Sequence, residues 1–509
     1  MEGPEKISDS AELTRRDLVK VTAGAAGFVL AGCLNDVGST GASVRGLDDP
    51  LHYSSSMSLA AAVREGRVSA TELVDEFLAR IEEVNPSLNA VVRLRAEEAR
   101  ADARRADEAQ ARGESLGPLH GVPMTIKDSI DTEGLVSTGG TTGRSNFVPD
   151  RDATVVRRLK EAGAILLGKT NTPELTLSYE TDNLVYGRTN NPWDLDRTPG
   201  GSSGGATAIL AAGGAAFDIG SDYGGSIRLP ASFCGIVGIK PTHGRVPRTG
   251  HVFPFGGTHD SFQQLGPLAR YVEDLFPLLR IIAGPDNIDP AIVPMPLGHP
   301  SEVDLRSLRV GFHVEDGISA PTDEIQAVVR EAARVIEGVG ASIEESRPRG
   351  IERSFDVGNQ IWSADGGAAV RRLLQEAGTM EVDPEVEYPA LDAGALDRVL
   401  TDWYSVRSEM SAYWNDHDVM LCPVNARPAG LHGATANWEE IQDNEGKNFS
   451  YTIAHNVTGW PAGVVPGGSS AEGLPIGVQI VAAPGREDRV LAVLAHLERE
   501  LGGFRPPPI

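Results

Sequence analysis

Three side chains in this sequence could together make a nucleophile with its own base: Lys127, Ser202 and Ser226. Lys127 ends the apolar run Gly121-Val122-Pro123-Met124-Thr125-Ile126 and is followed by Asp128. The serines stand in two glycine-serine clusters, Gly200-Gly201-Ser202-Ser203-Gly204-Gly205 and Gly224-Gly225-Ser226-Ile227-Arg228. Serine is a poor nucleophile at neutral pH and must lose its proton to a neighbour as it attacks. An amine kept neutral by burial can take that proton in place of histidine.

Other readings of the same residues are weaker. The cluster at 200–205 lacks the Lys-Ser/Thr ending of a phosphate loop, and the chain carries no strand-GxGxxG-helix pattern with a following acid. The cluster also fits Gly-x-Ser-x-Gly, the sharp turn that lifts a nucleophilic serine off the end of a strand. That turn needs a strand running straight into the serine, whereas Asn191-Pro192-Trp193-Asp194 and the residues up to Pro199 read as loop. His120, His243, His251 and His259 show no spacing to an acid that singles one out as a base, and they read as pocket or surface residues.

The elements that would position these groups follow from periodicity. Ser58 precedes a helix bearing Leu59, Ala62 and Val63, and Ser69-Ala70-Thr71-Glu72 has the capping-box form before a second helix, which Pro86 is expected to stop. Residues 90–112 read as a charged, solvent-facing helix. Val122, Met124 and Ile126 alternate as in a strand, residues 153–162 read as a helix and 164–167 as a buried strand, which is a βαβ pattern. A helix at 205–212, a strand at 216–219, a helix after Ser226 and a strand at 236–239 continue it. Strands at 308–312, 419–424 and 476–481 and helices at 322–338 and 488–501 follow, while residues 340–415 fit no simple pattern. The whole predicts one α/β domain, an α/β/α sandwich around a central mixed sheet over residues 58–505, without repeats.

Composition bounds the partners. With 509 residues, 40% of them hydrophobic, the chain can bury a large core. A formal net charge of −25 argues against nucleic acid as a partner, because phosphate binding needs a concentrated basic surface. Only seven of the 46 basic residues are lysine, which implies an acidic shell suited to high salt or to an ordinary acidic proteome. Cys33, Cys234 and Cys422 are too few for a disulfide framework, and Cys234 and Cys422 read as buried thiols. Phe253, Phe255 and Phe262 suit either an apolar substrate pocket or loop packing.

The start of the chain reads as an address. Thr14-Arg15-Arg16-Asp17-Leu18-Val19-Lys20 leads into the small and apolar residues 21–30 and then Ala31-Gly32-Cys33. This resembles a twin-arginine export signal over residues 1–32 ending in a lipobox, with Cys33 lipidated and residues 33–57 as a Gly-, Ser- and Asp-rich tether. Such a protein would sit lipid-anchored on the outer face of the cell membrane.

The clusters also carry a family likeness. Gly200 to Gly205, then Gly220-Ser221-Asp222-Tyr223-Gly224-Gly225-Ser226-Ile227-Arg228-Leu229-Pro230-Ala231, Phe233-Cys234-Gly235 and Gly238-Ile239-Lys240-Pro241-Thr242-His243-Gly244-Arg245 strongly resemble the amidase signature. The likeness reaches Gly266-Pro267-Leu268-Ala269-Arg270 and Gly473-Leu474-Pro475-Ile476-Gly477-Val478-Gln479. It implies a hydrolase of carboxylic amides with Ser226 as the acyl-forming nucleophile, Ser202 as a bridging serine after a cis Gly201–Ser202 peptide, and Lys127 as the base. The separation of the two serines, 24 positions, agrees with that pattern. Tyr223, Gly224, Gly225 and Ser226 would offer backbone N–H groups to the oxyanion. Asp222 and Arg228 are expected to form an ion pair holding that loop, and Ser203 to hydrogen-bond within the relay. No cofactor or metal is implied, the partner would be a small amide, and a homodimer is compatible with the sequence. The glutaminase subunit of a tRNA-dependent amidotransferase shares the same three groups and is the main alternative. A surface lipoprotein that binds a ligand without catalysis is the other.

Overall fold

In the computed structural model, residues 46–48, 50–114, 116–380, 389–434 and 446–509 are described, so the expectations for the export signal, Cys33 and most of the tether lie outside the described residues. Among the described residues, eleven strands form one mixed sheet: β1 (Val91–Leu94), β2 (Pro123–Lys127), β3 (Ile165–Thr170), β4 (Phe217–Asp222), β5 (Val237–Lys240), β6 (Gln264–Ala269), β7 (Arg309–Phe312), β8 (Ser342–Glu345), β9 (Val419–Pro423), β10 (Ala462–Ser469) and β11 (Pro475–Ala482). Their order is β1-β3-β2-β4-β6-β5-β10-β11-β9-β7-β8. β2 runs parallel to β3 and β4, whereas β4–β6, β5–β6, β5–β10, β10–β11 and β9–β11 are antiparallel.

Helices cover both faces, as the glycines on the central strands reveal. A Cβ on Gly463 of β10 would strike Leu494 and Val490 of the Glu487–Leu501 helix, while one on Gly477 of β11 would strike Ser232 of the Arg228–Cys234 helix and Val464. Gly463 pairs with Ile480 and Val464 with Gln479, so those two positions point to opposite faces and the helices sandwich the sheet. Val490, Leu491, Leu494 and Leu497 are all buried on one side, and Leu229 and Phe233 on the other. Fully burying such a side chain contributes roughly 1.5–3 kcal/mol, so these helices hold the sheet in place chiefly through their apolar faces.

Several boundaries differ from the periodic reading. The helix at Ala70–Leu88 continues through Pro86, and the left-handed Asn89 (φ 50°) ends it, while the Asn85 side chain accepts from Ala90 N and Val91 N at 2.8 Å. Pro86 lies in the last turn, where only one helical bond is forfeited. Residues 90–112 are two elements, because Val91–Leu94 pair antiparallel with β3 before the Ala96–Ala111 helix begins. The expected tether overlaps the domain: Ser55 caps the Ser56–Arg64 helix, and Asp274 accepts from Ser56 N and Met57 N at 3.0 and 2.9 Å. β6 and β10 escaped the sequence reading because Gly266, Pro267, Gly463, Pro466, Gly467 and Gly468 dilute their apolar signal. Residues 340–415 hold β8 and the helices Ser354–Trp362, Ala368–Ala377 and Ala393–Ser411.

Candidate active site

β2 brings Lys127 to its C-terminal end, between two parallel neighbours, with no side-chain exposure. Lys127 Nζ lies 2.6 Å from Ser202 Oγ, 2.9 Å from Ser221 Oγ and 3.0 Å from Ser203 Oγ. Burial drives the amine well below the usual lysine range, against the opposing charges of Asp222 and Asp218. In its neutral form the amine would have two N–H donors and one lone pair, so one of the three surrounding hydroxyls would then donate to it. Ser203 Oγ–H points at the Ser221 carbonyl, 3.3 Å away, so Ser203 is one of the acceptors.

Ser202 and Ser203 immediately precede the Gly204–Ala211 helix, and the Gly201–Ser202 peptide is cis. Ser203 N donates to the Ser226 carbonyl at 3.3 Å, which ties the first glycine-serine cluster to the second. Ser202 and Ser226 are both buried. A close backbone approach explains the second cluster's glycines: at Gly225 φ is 130°, and a Cβ there would sit 2.4 Å from Thr452 Oγ1.

Asp222 and Arg228 are in direct contact, Nη2 to Oδ1 at 2.8 Å and Nε to Oδ2 at 3.0 Å, with both side chains wholly buried. The Asp222 carboxylate also accepts from Gly225 N (3.0 Å), Ile227 N (3.1 Å) and Asn456 Nδ2 (2.9 Å). Burial alone would raise this carboxyl, but the charge and hydrogen bonds of Arg228, with Lys240 and Asn456, hold it below the usual range. Arg228 Nη1 in turn donates to Gln479 Oε1 at 2.7 Å and the Thr452 carbonyl at 2.9 Å. Of the four amides expected to face an oxyanion, that of Gly225 is engaged by Asp222.

The remaining candidates take structural places. His243, His251 and His259 are largely buried rather than on the surface, and desolvation holds His243 at about 4 and His251 at about 3. Phe253 and Phe262 pack around Tyr223, whose ring also stacks on Trp362 at 4.8 Å. Cys234 and Cys422 are free and buried, and burial raises both thiols to about 12. The sequence reading missed Ser221, Thr452, Asn456 and Gln479. Ser221 was within reach, being next to Asp222, whereas the other three join the site only through the Ser450–Thr458 helix and β11.

A buried amine held among serine hydroxyls, with a glycine loop anchored beside it, is an arrangement that a hydrolase using serine could exploit. The chain belongs to the Amidase family, which it matches over residues 72–491. It is 38% identical over 482 residues to an A-type glutamyl-tRNA(Gln) amidotransferase subunit of Synechococcus sp. (strain CC9605), covering 88% of this chain and 96% of that protein. To an acylamidase of Rhodococcus erythropolis it is 36% identical over 468 residues, covering 88% and 95%. Among solved structures, 6-aminohexanoate cyclic dimer hydrolase complexed with substrate matches with a TM-score of 0.79 and 30% identity, over 90% of this chain and 99% of that one.

Proposed function

We propose that this protein is an exported amidase in which Ser226 attacks the amide carbonyl, Ser202 bridges the proton transfer and Lys127 is the base. The observation that carries the reading is the 2.6 Å approach of a buried, solvent-free Lys127 Nζ to Ser202 Oγ. As Ser226 Oγ bonds to the carbonyl carbon, its proton passes to Ser202 Oγ while the Ser202 proton passes to Lys127 Nζ. The amides of Tyr223, Gly224 and Ser226 receive the oxyanion. On collapse the C–N bond breaks, and the proton returns from Lys127 through Ser202 to the leaving nitrogen. Water then releases the acyl group from Ser226 by the same relay, yielding carboxylate and ammonia or amine.

Labelling with a fluorophosphonate and mapping the adduct by mass spectrometry tests this. The adduct is expected on Ser226; an adduct elsewhere, or none on folded protein, would refute the assignment. The same experiment separates an enzyme from a surface lipoprotein that only binds a ligand.

The resemblance to amidotransferase subunits supports a second reading, a glutaminase that works beside partner chains. The twin-arginine and lipobox residues favour export, lipid attachment at Cys33 and a place on the outer face of the cell membrane. Mass spectrometry of the membrane fraction is expected to find a mature chain beginning at acylated Cys33. An intact Met1, or copurification with the other amidotransferase chains, would overturn the exported reading.

A further inference from the structure

Against the backbone of Lys127 lies a buried carboxylate that the relay does not use. Asp218 of β4 has no exposure. One of its oxygens accepts from the backbone N–H of Lys127 itself at 3.1 Å; the other accepts from Thr125 Oγ1 at 2.7 Å and Thr170 Oγ1 at 3.0 Å. Thr125 and Thr170 stand on β2 and β3, so three adjacent strands contribute to one buried polar layer under the base. Such a carboxylate is costly to bury, and two hydroxyls with one amide do not replace its water shell. A neutral amide at this place could still accept from the same donors, whereas an apolar residue would orphan them. What a negative charge adds here is an attraction for a positive charge on Lys127.

We propose that Asp218 is a positioning residue for catalysis, a fixed counter-charge that stabilises the ammonium form of Lys127 generated when the base takes its proton. The inference rests on Lys127 being that base. In the proposed relay the resting amine is neutral, but at the tetrahedral intermediate it carries a positive charge at a position with no exposure. Every carboxylate near it then lowers the energy of that state more than of the resting one, which is the differential stabilisation that speeds a reaction. Asp222 is the other such carboxylate and acts on Lys127 more strongly, although it also pairs with Arg228; Asp218 adds to it from its place against the Lys127 backbone.

The charged and titratable groups around this layer are few. β2 brings Lys127, β3 brings Lys169 and β4 brings Asp222, while β6 and the Gly204–Ala211 helix bring no ionisable residue; His251 faces Lys127 from its own loop. Burial raises the Asp218 carboxyl to about 7, with the two threonine hydroxyls and Lys169 opposing. The counter-charge is therefore present on the alkaline side of neutrality and fades below it. Losing it lowers the affinity of Lys127 for protons, because an opposite charge nearby favours the charged form.

The test is the pH dependence of fluorophosphonate labelling and of 4-nitroacetanilide hydrolysis by full-length Asp218→Asn and Thr125→Val. Activity rises as Lys127 loses its proton, so the acid limb reports that event. Asp218→Asn keeps the size of the side chain and an oxygen to accept from Lys127 N. Its acid limb is expected to move about one pH unit toward acid, with the alkaline plateau of hydrolysis reduced about tenfold. Thr125→Val retains the carboxyl but removes a hydroxyl that favours its charge, and its limb is expected to move the same way by less. An acid limb that stays in place in both variants overturns the proposal, as does a shift toward alkali. Should Asp218→Asn fail to fold, the Thr125→Val profile decides alone. Failure of the base assignment has a separate signature: Lys127→Ala would then remain active.

Discussion

Lys127→Ala is expected to lower amide hydrolysis by about three orders of magnitude, with the acid limb of its pH profile abolished. The size follows from what the side chain does. Its Nζ is the nearest titratable group to Ser202 Oγ, at 2.6 Å. Without it the proton of Ser226 has no acceptor inside a buried site, so only the slow attack of an unassisted hydroxyl is left. Ser226→Ala removes the nucleophile itself and is expected to cost roughly 10⁴- to 10⁶-fold, and the double variant no more than the worse single one, since groups acting as a unit are not additive. Rates on 4-nitroacetanilide across pH 5–10, with circular dichroism to show that the fold survives, check both. A Lys127→Ala enzyme within tenfold of the parent at neutral pH would sink the relay.

These groups could be found in the sequence because the chemistry is local in two of its three parts. Each glycine-serine cluster is a contiguous loop entering a helix, so its geometry is written in adjacent residues. Lys127 is legible for another reason: strand alternation through Val122, Met124 and Ile126 marks only a strand-end lysine, and it is the resemblance to the amidase signature that implies its role as base. What periodicity could not show is the support. Asn456 and Gln479 reach Asp222 and Arg228 across more than 220 positions of chain, and nothing near either residue signals that contact. The sheet was legible where its strands are rich in Val, Ile and Leu and opaque where they are not. β10 reads Ala-Gly-Val-Val-Pro-Gly-Gly-Ser, a turn-like sequence that is a strand because β5 and β11 pair with it on both sides. Its glycines keep the helices close, which is a demand of packing and not of local preference. Pro86 misled for the converse reason: a proline in a last turn costs little, and the side chain of Asn85 finishes the helix beyond it.

Asp222→Asn is expected to destabilise the protein by about 3–5 kcal/mol and to inactivate it even where it stays folded. The carboxylate gathers five donors from the loop and its supports at 2.8–3.1 Å: Gly225 N, Ile227 N, Asn456 Nδ2, Arg228 Nε and Arg228 Nη2. An amide in its place turns one acceptor into an N–H that faces other N–H groups. It also leaves the Arg228 guanidinium fully buried without a counter-charge, and an uncompensated buried charge, rather than the lost bonds, sets the magnitude. Because the folded-state carboxyl is held below its unfolded value, the stability it contributes is fully present above about pH 4 and fades only as pH falls further. The variant's deficit should therefore be constant from pH 5 to 8 and shrink in stronger acid. Changing Arg228→Gln as well removes the stranded charge, so the double variant should be more stable than Asp222→Asn alone while remaining inactive. Its neutral pair cannot hold Gly225 and Ile227 as the carboxylate does. Urea unfolding of Asp222→Asn, of Arg228→Gln and of the double variant measures this directly; purely additive losses would show that the pair is not the anchor of the loop.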